Sequence, residues 1–360
     1  MIGIDTSTDY GGFTMKKRIA LILCFALLMS ALAGCMGTVV VYNECTCPGG
    51  THTGNNDYQP TEGALKTGLA IITGIGESEN AKQAKYDITI AAVTVDDNGV
   101  IQDCIIDSVG ATITFDDKGV ITSDLTAEVL TKNELGDNYG MKAYGSAKYE
   151  WYEQAAALAN YAKGKTVAEL KNGAVGESGK AVDADLASTA TIYLGGYVSA
   201  IEQAVSSAQH LGAQSGDELK LSVINGASGT DATAEKAGTA QLDCNVAVLT
   251  VNNGVITSCV IDAVQAKVSF DTAGAISTDL TAAVQTKNQL GENYGMKAWG
   301  SAKYEWNEQA ASFAKYVTGK TAAQVAGIAV SEGKPSDADL AATVTIAIGD
   351  FQALIAKAFG

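Results

Sequence analysis

Thr131–Ala155 reads TKNELGDNYGMKAYGSAKYEWYEQA and Thr286–Ala310 reads TKNQLGENYGMKAWGSAKYEWNEQA, and this pair of stretches, 155 positions apart, decides the architecture. Only four of the 25 positions differ: Glu134/Gln289, Asp137/Glu292, Tyr144/Trp299 and Tyr152/Asn307. Similarity continues in both directions from them at the same offset, or one residue less after a slip. A repeat of this length is a domain in its own right, because solenoid units run about 20–50 residues. The chain therefore divides into one copy at 64–210 and a second at 217–360, joined by the span from about His210 to Gly216.

Within the first copy the pattern is strands, then helices. Tyr86–Val95 and Val100–Ile106 alternate apolar and polar around Asp97-Asn98-Gly99, a hairpin signal. Ala111–Phe115 and Val120–Thr122 flank Asp117-Lys118-Gly119 as a second hairpin, and the TKN…YGMK segment follows as a loop. A helix is expected from near Ser146 to Lys163, with Trp151, Ala155, Leu158 and Ala162 at helical spacing and Gly164 as its stop. Thr166-Val167-Ala168-Glu169 is a capping box for a short second helix, repeated at Thr321–Gln324. Thr189–Leu194 alternates like a strand, and Tyr197–Ala208 reads as an amphipathic helix. Strands grouped before helices give the class α+β, each copy an antiparallel meander followed by helices.

The N-terminus carries a different signal. Met15-Lys16-Lys17-Arg18 is a basic start, and the apolar run Ile19–Leu32 is short for a bilayer span. It ends at Leu32-Ala33-Gly34-Cys35, which resembles the bacterial lipobox; that resemblance implies removal of the leader, 1–34, and lipidation of Cys35. An ordinary secretory signal with a chance cysteine is the alternative. Residues 1–14 lack signal character, which makes Met15 the expected initiator, and 35–63 reads as a flexible spacer rich in Gly, Asn and Thr. The expected location is extracytoplasmic, on the outer face of the cytoplasmic membrane.

The chain's 360 residues carry a formal charge of −16 that no Lys/Arg cluster offsets, which argues against nucleic acid as a partner. Its two histidines, His52 and His210, lie outside the repeated motifs, so a His-based metal centre or Ser-His-Asp site is not expected. Cys104 and Cys259 occupy equivalent positions and read as buried free thiols. Cys45, Cys47 and Cys244 complete an odd set without zinc-type spacing. Gly176–Lys180 lacks the first Gly and the final Ser/Thr of a phosphate loop, and Asp96–Gly99 lacks the alternation of a calcium loop; both read as turns.

One segment suggests chemistry. Asp185-Leu186-Ala187-Ser188-Thr189-Ala190-Thr191 resembles the D-x-x-[S/T]-G-A-T flavinylation motif of the FMN-binding domain family, found in a subunit of the sodium-pumping quinone reductase and in surface lipoproteins. The resemblance implies FMN joined to Thr191 as a phosphoester by a flavin transferase. Asp185, Ser188, Ala190 and Thr191 match, while Thr189 replaces the glycine. In the second copy Asp339 and Thr345 remain, but Ala342 and Val344 replace the Ser and Ala, so that site is degraded. A solvent-facing Thr-rich strand is the plain structural reading of the same stretch. Gly110-Ala111-Thr112 has no counterpart in the second copy and wrong upstream spacing.

The anchor, the domain size and the TKN-x-LG-x-NYGMK…EW-x-EQ signature also resemble FMN-binding lipoproteins as a group. Lys132, Asn133, Tyr139, Met141 and Lys142, repeated as Lys287, Asn288, Tyr294, Met296 and Lys297, are the residue types a flavin site uses: an aromatic or Met face, donors and a cation. Tyr144/Trp299 and Trp151/Trp306 add candidate stacking partners, or core residues in the plain structural reading. The expected function is a membrane-anchored redox carrier with one or two covalent FMN groups, supplied by a quinone-linked membrane donor, and not a stand-alone enzyme. The rival expectation is a binding or adhesion lipoprotein without covalent flavin.

Overall fold

The computed structural model describes residues 63–360. The leader, Cys35, the spacer with Cys45 and Cys47, and His52 lie outside the described residues. Three antiparallel strands open the first half: β1 (Lys66–Gly74), β2 (Gln83–Val95) and β3 (Ile101–Thr114), in the order β1-β2-β3. Six helices follow: α1 (Lys132–Leu135), α2 (Met141–Gly145), α3 (Trp151–Ala162), α4 (Val167–Ala174), α5 (Ala184–Thr189) and α6 (Gly195–Ser207), with a 3₁₀ turn at Gly136–Tyr139 between the first two. The second half repeats the order: β4 (Glu218–Thr230), β5 (Gly238–Asn252) and β6 (Val255–Phe270), then α7 (Lys287–Leu290), α8 (Met296–Gly300), α9 (Trp306–Val317) and α10 (Ala322–Ala326). A two-stranded ribbon of β7 (Val330–Ser331) and β8 (Lys334–Pro335) leads to α11 (Ala338–Ala341) and α12 (Gly349–Phe359). The class is α+β, with two antiparallel sheets each followed by helices.

Both halves belong to one compact unit. The central strand β2 is buried on both faces from Ile90 to Val95, where it is apolar except for Thr94. Tyr86, Ile88 and Ile90 face a core shared with Leu242, Cys244, Val246 and Val268 of the second sheet. Ala91, Val93 and Val95 face a core with Leu158, Leu170 and Ile201 from the helices. A third core, around Leu249, Ile261, Phe313 and Leu354, completes the layers helix–sheet–sheet–helix.

Contacts across the middle are reciprocal, as at a two-fold interface. Ile121 N donates to Asp231 Oδ1 and Ile276 N to Asn80 Oδ1, both at 2.8 Å. Ala232 N donates to Gly119 O and Ala81 N to Gly274 O, again at 2.8 Å. Phe115 stacks on Phe270, its counterpart 155 positions on, with centroids 4.0 Å apart and planes 5° from parallel. Gly119 (φ +67°) and Gly274 (φ +68°) are required there: a Cβ on either would stand 2.5–2.6 Å from a carbonyl oxygen of the opposing turn.

Several local expectations change. β3 runs unbroken to Thr114, and Val120–Thr122 contributes a single bridge, Phe115 to Ile121, because Asp116 closes the turn by accepting from Lys118 N and Val120 N. The TKN…YGMK segment is a chain of short helices, not a loop, and the long helix starts at Trp151 because Glu150 caps it. Thr189–Leu194 is not a strand: α5 ends at Thr189 and the chain passes directly to α6. β1 carried no distinct sequence signal, and residues 209–214 run beside it, with Leu65 N donating to Ala213 O and Thr67 N to Gln209 O. Cys104, Cys244 and Cys259 are buried free thiols, and desolvation pushes the Cys104 thiol up to about 12.

Candidate functional site

The site is assembled by capping interactions. Thr131 caps α1, its hydroxyl accepting from Glu134 N (3.2 Å) while Thr131 N donates to Glu134 Oε2 (2.8 Å). Asn133 Nδ2 donates to Ile106 O (2.9 Å) and Asn133 N to Asp107 Oδ1 (3.1 Å), which ties the segment to the sheet. Lys132 Nζ lies 5.2 Å from the ring centroids of both Tyr139 and Trp151. Met141 N and Lys142 N donate to the side-chain oxygens of buried Glu150 (2.8 and 2.9 Å) at the start of α2. Lys142 Nζ pairs with Glu153 (3.2 Å) and Asp137 (3.5 Å).

Gln154, fully buried on α3, joins this cluster to the late threonine. Its Nε2 donates to Tyr149 O (3.0 Å) and lies 3.9 Å from Met141 Sδ. Its Oε1 accepts from Thr191 N (2.7 Å), Thr191 Oγ1 (3.2 Å) and Ile192 N (3.1 Å). Gln309 makes the same set: Tyr304 O at 3.0 Å, Thr345 N at 2.8 Å, Thr345 Oγ1 and Ile346 N at 3.2 Å. Asn288, Met296 and Lys297 repeat the contacts of their counterparts through Ile261, Asp262, Glu305 and Glu308, and Lys287 lies 5.1 and 4.9 Å from the rings of Tyr294 and Trp306.

Two sequence signals that lie 37 residues apart thus meet in space. Asp185 and Ser188 share the exposed face of α5, with Thr191 exposed just beyond it, while Leu186 and Ala190 are buried. Asp339 and Thr345 are likewise exposed. Asn133, Lys142 and Asn288 are exposed at the surface and Met141, Met296 and Lys297 half-buried, each with its hydrogen bonds or ion pair to its own half of the protein. Trp151 and Trp306 belong to the core, Trp151 Nε1 donating to Tyr197 OH at 2.9 Å. Tyr144 and Trp299 are instead 91% and 89% exposed.

No family model, curated protein or solved structure matches the chain.

Two residues escaped sequence reasoning. Gln154 lay inside the identical stretch, yet nothing local says that it binds a segment 37 residues later. Tyr193, 69% exposed with Lys180 Nζ 5.3 Å from its ring centroid, follows Thr191 by two; its counterpart is Ala347.

Proposed function

We propose that the protein is an extracytoplasmic, lipid-anchored flavoprotein built from two copies of one domain, with FMN on Thr191 as its redox group. Duplication is supported by 21 identical positions in 25, by the repeated element order and by the reciprocal contacts across the middle. The observation that carries the flavin reading is the exposed residue Thr191, its hydroxyl donating to Gln154, immediately after a short helix that presents Asp185 and Ser188 to an incoming transferase.

The residues present fit a tethered cofactor better than an enclosed one. The Thr191 oxygen would attack the FMN phosphorus of FAD, the pyrophosphate bond would break, AMP would leave and the hydroxyl proton would pass to solvent. Downstream, α6 begins at Gly195-Gly196 without a side-chain cap, so its first amides are available to an anion. Tyr193 offers an exposed ring for an isoalloxazine face. Bound FMN supplies reversible electron transfer between a membrane donor and external acceptors. At Thr345 the hydroxyl and its glutamine persist but the aromatic neighbour does not, so one flavin per chain is the favoured stoichiometry.

Co-expression with a flavin transferase followed by intact-mass measurement tests this. One FMN addition, lost in Thr191→Ala and kept in Thr345→Ala, is expected. An unmodified mass sinks the flavin reading and favours a binding or adhesion lipoprotein, for which the outward rings of Tyr144 and Trp299 are the supporting feature.

A further inference from the structure

Where the edge of β3 approaches the edge of β4, the two halves flank a half-open pocket of about 290 Å³, lined by Asp107, Thr131, Glu134, Leu221, Ser222 and Lys357 among others. Its size is at the lower end for small-ligand pockets. Ser222 is only 3% exposed, and its hydroxyl has no hydrogen-bond partner. A buried hydroxyl in that state marks a place where something else completes the bonding. Asp107 accepts from Ser108 N (2.7 Å), from Asn133 N and from the Thr131 hydroxyl; among the described residues it has no ion-pair partner. Lys357 Nζ donates to Val223 O (2.6 Å) and to the Glu134 carboxylate, which leaves one ammonium proton.

We propose that this seam binds one small zwitterion of amino-acid size, its ammonium on the Asp107 carboxylate and Ser222 Oγ and its carboxylate on the remaining proton of Lys357. A buried carboxylate without an ion-pair partner, an orphan hydroxyl and an ammonium with one proton to spare are the three features such a ligand satisfies together. The opposite seam, between β6 and β1, keeps Asp262, Thr286 and Asn288 but places Gln289, Ala70 and Gln203 where this one has Glu134, Ser222 and Lys357. One site per chain follows. The groups facing Asp107 are Glu134 from α1 and Lys357 from α12, which neutralise each other. Burial raises the Asp107 carboxyl to about 6, so affinity holds at neutral pH and is lost as the pH falls through that value. None of this depends on the flavin reading.

Isothermal titration calorimetry of the full chain with glycine, L-alanine, L-serine and L-aspartate, and with N-acetyl-L-alanine and L-alanine methyl ester as controls, tests the assignment. At least one free amino acid should bind with a stoichiometry of one, and the blocked controls should not. Binding should weaken about tenfold or more in Ser222→Ala and in Asp107→Asn, and should be unchanged in Asp262→Asn. Heat from none of the four, a stoichiometry of two, or unaltered affinity in Ser222→Ala overturns it. Ser222→Ala removes one oxygen without adding volume, so it tests the site even if Asp107→Asn folds poorly.

Discussion

The environments of Thr191 and Thr345 share a frame and differ in their surroundings. Gln154 and Gln309 hold the two threonines with the same bonds to within about 0.1 Å. Yet Ser188, Ala190 and Tyr193 of the first half become Ala342, Val344 and Ala347 in the second. Among the identical residues are several whose side chains satisfy backbone groups of the same half: Thr131, Asn133, Glu150 and Gln154 each bond an amide or carbonyl. Internal bonding therefore accounts for these four positions of the repeated signature, and functional divergence is to be sought in what differs around them.

Removing the shared anchor gives the largest effect. Gln154→Ala leaves Tyr149 O and the amides of Thr191 and Ile192 without partners, and Gln309→Ala does the same in the other half; each should cost about 2–4 kcal/mol in urea unfolding. Equal losses would establish the common frame energetically. Flavin incorporation should split the pair, falling in Gln154→Ala and persisting in Gln309→Ala. If both or neither lose flavin, the functional asymmetry is broken.

The central contact makes a sharper test of equivalence. Gly119→Ala and Gly274→Ala each force a side chain onto a positive-φ position and against an opposing carbonyl, so both should destabilise by about 2–3 kcal/mol. Markedly unequal costs would show that the two turns are not interchangeable.

How far the sequence foresees this varies with the range of the interaction. The hairpin at Asp97-Asn98-Gly99, the capping boxes at Thr166 and Thr321 and the helix ending near Gly164 depend on neighbours within four residues, and they stand where the pattern puts them. Thr189–Leu194 misled because alternation there reflects burial of Ala190 and Leu194 against α3 and α6, a tertiary arrangement that imitates a strand. The face-to-face sheets were out of reach because the run Ile90–Val95 of β2 is buried on both faces and does not name what covers either. Gln154 was equally hidden: a buried glutamine is legible only once its partner 37 residues away is in place.

Asp107 and Asp262 give a pH-dependent comparison. Desolvation raises both carboxyls from 3.8 to about 6. Between those values the native state binds more protons than the unfolded one, so stability from this pair is complete below about 4 and is lost as the pH rises through about 6. The shift corresponds to roughly 2–3 kcal/mol at each site. Asp107→Asn and Asp262→Asn should each flatten part of the fall in urea midpoint between pH 4.5 and 7.5. Desolvation is the leading cause at both sites and the shifts are alike, so the two substitutions should remove about equal parts. Markedly unequal parts would show that the two seams do not bury their carboxyls alike.

The smallest effect belongs to the most exposed difference. Tyr144 and Trp299 lie over Gly140 and Gly295 with their rings in water, so little apolar area is removed from solvent at either position. Tyr144→Ala and Trp299→Ala should each shift stability by less than about 0.5 kcal/mol. A near-neutral result would separate these rings from the residues that maintain the frame, and leave retention of an aromatic at both positions to be explained by contact with something outside the chain. A cost above about 1 kcal/mol would instead place them among the structural residues of the signature, and the outward aromatic pair would no longer support an adhesion role.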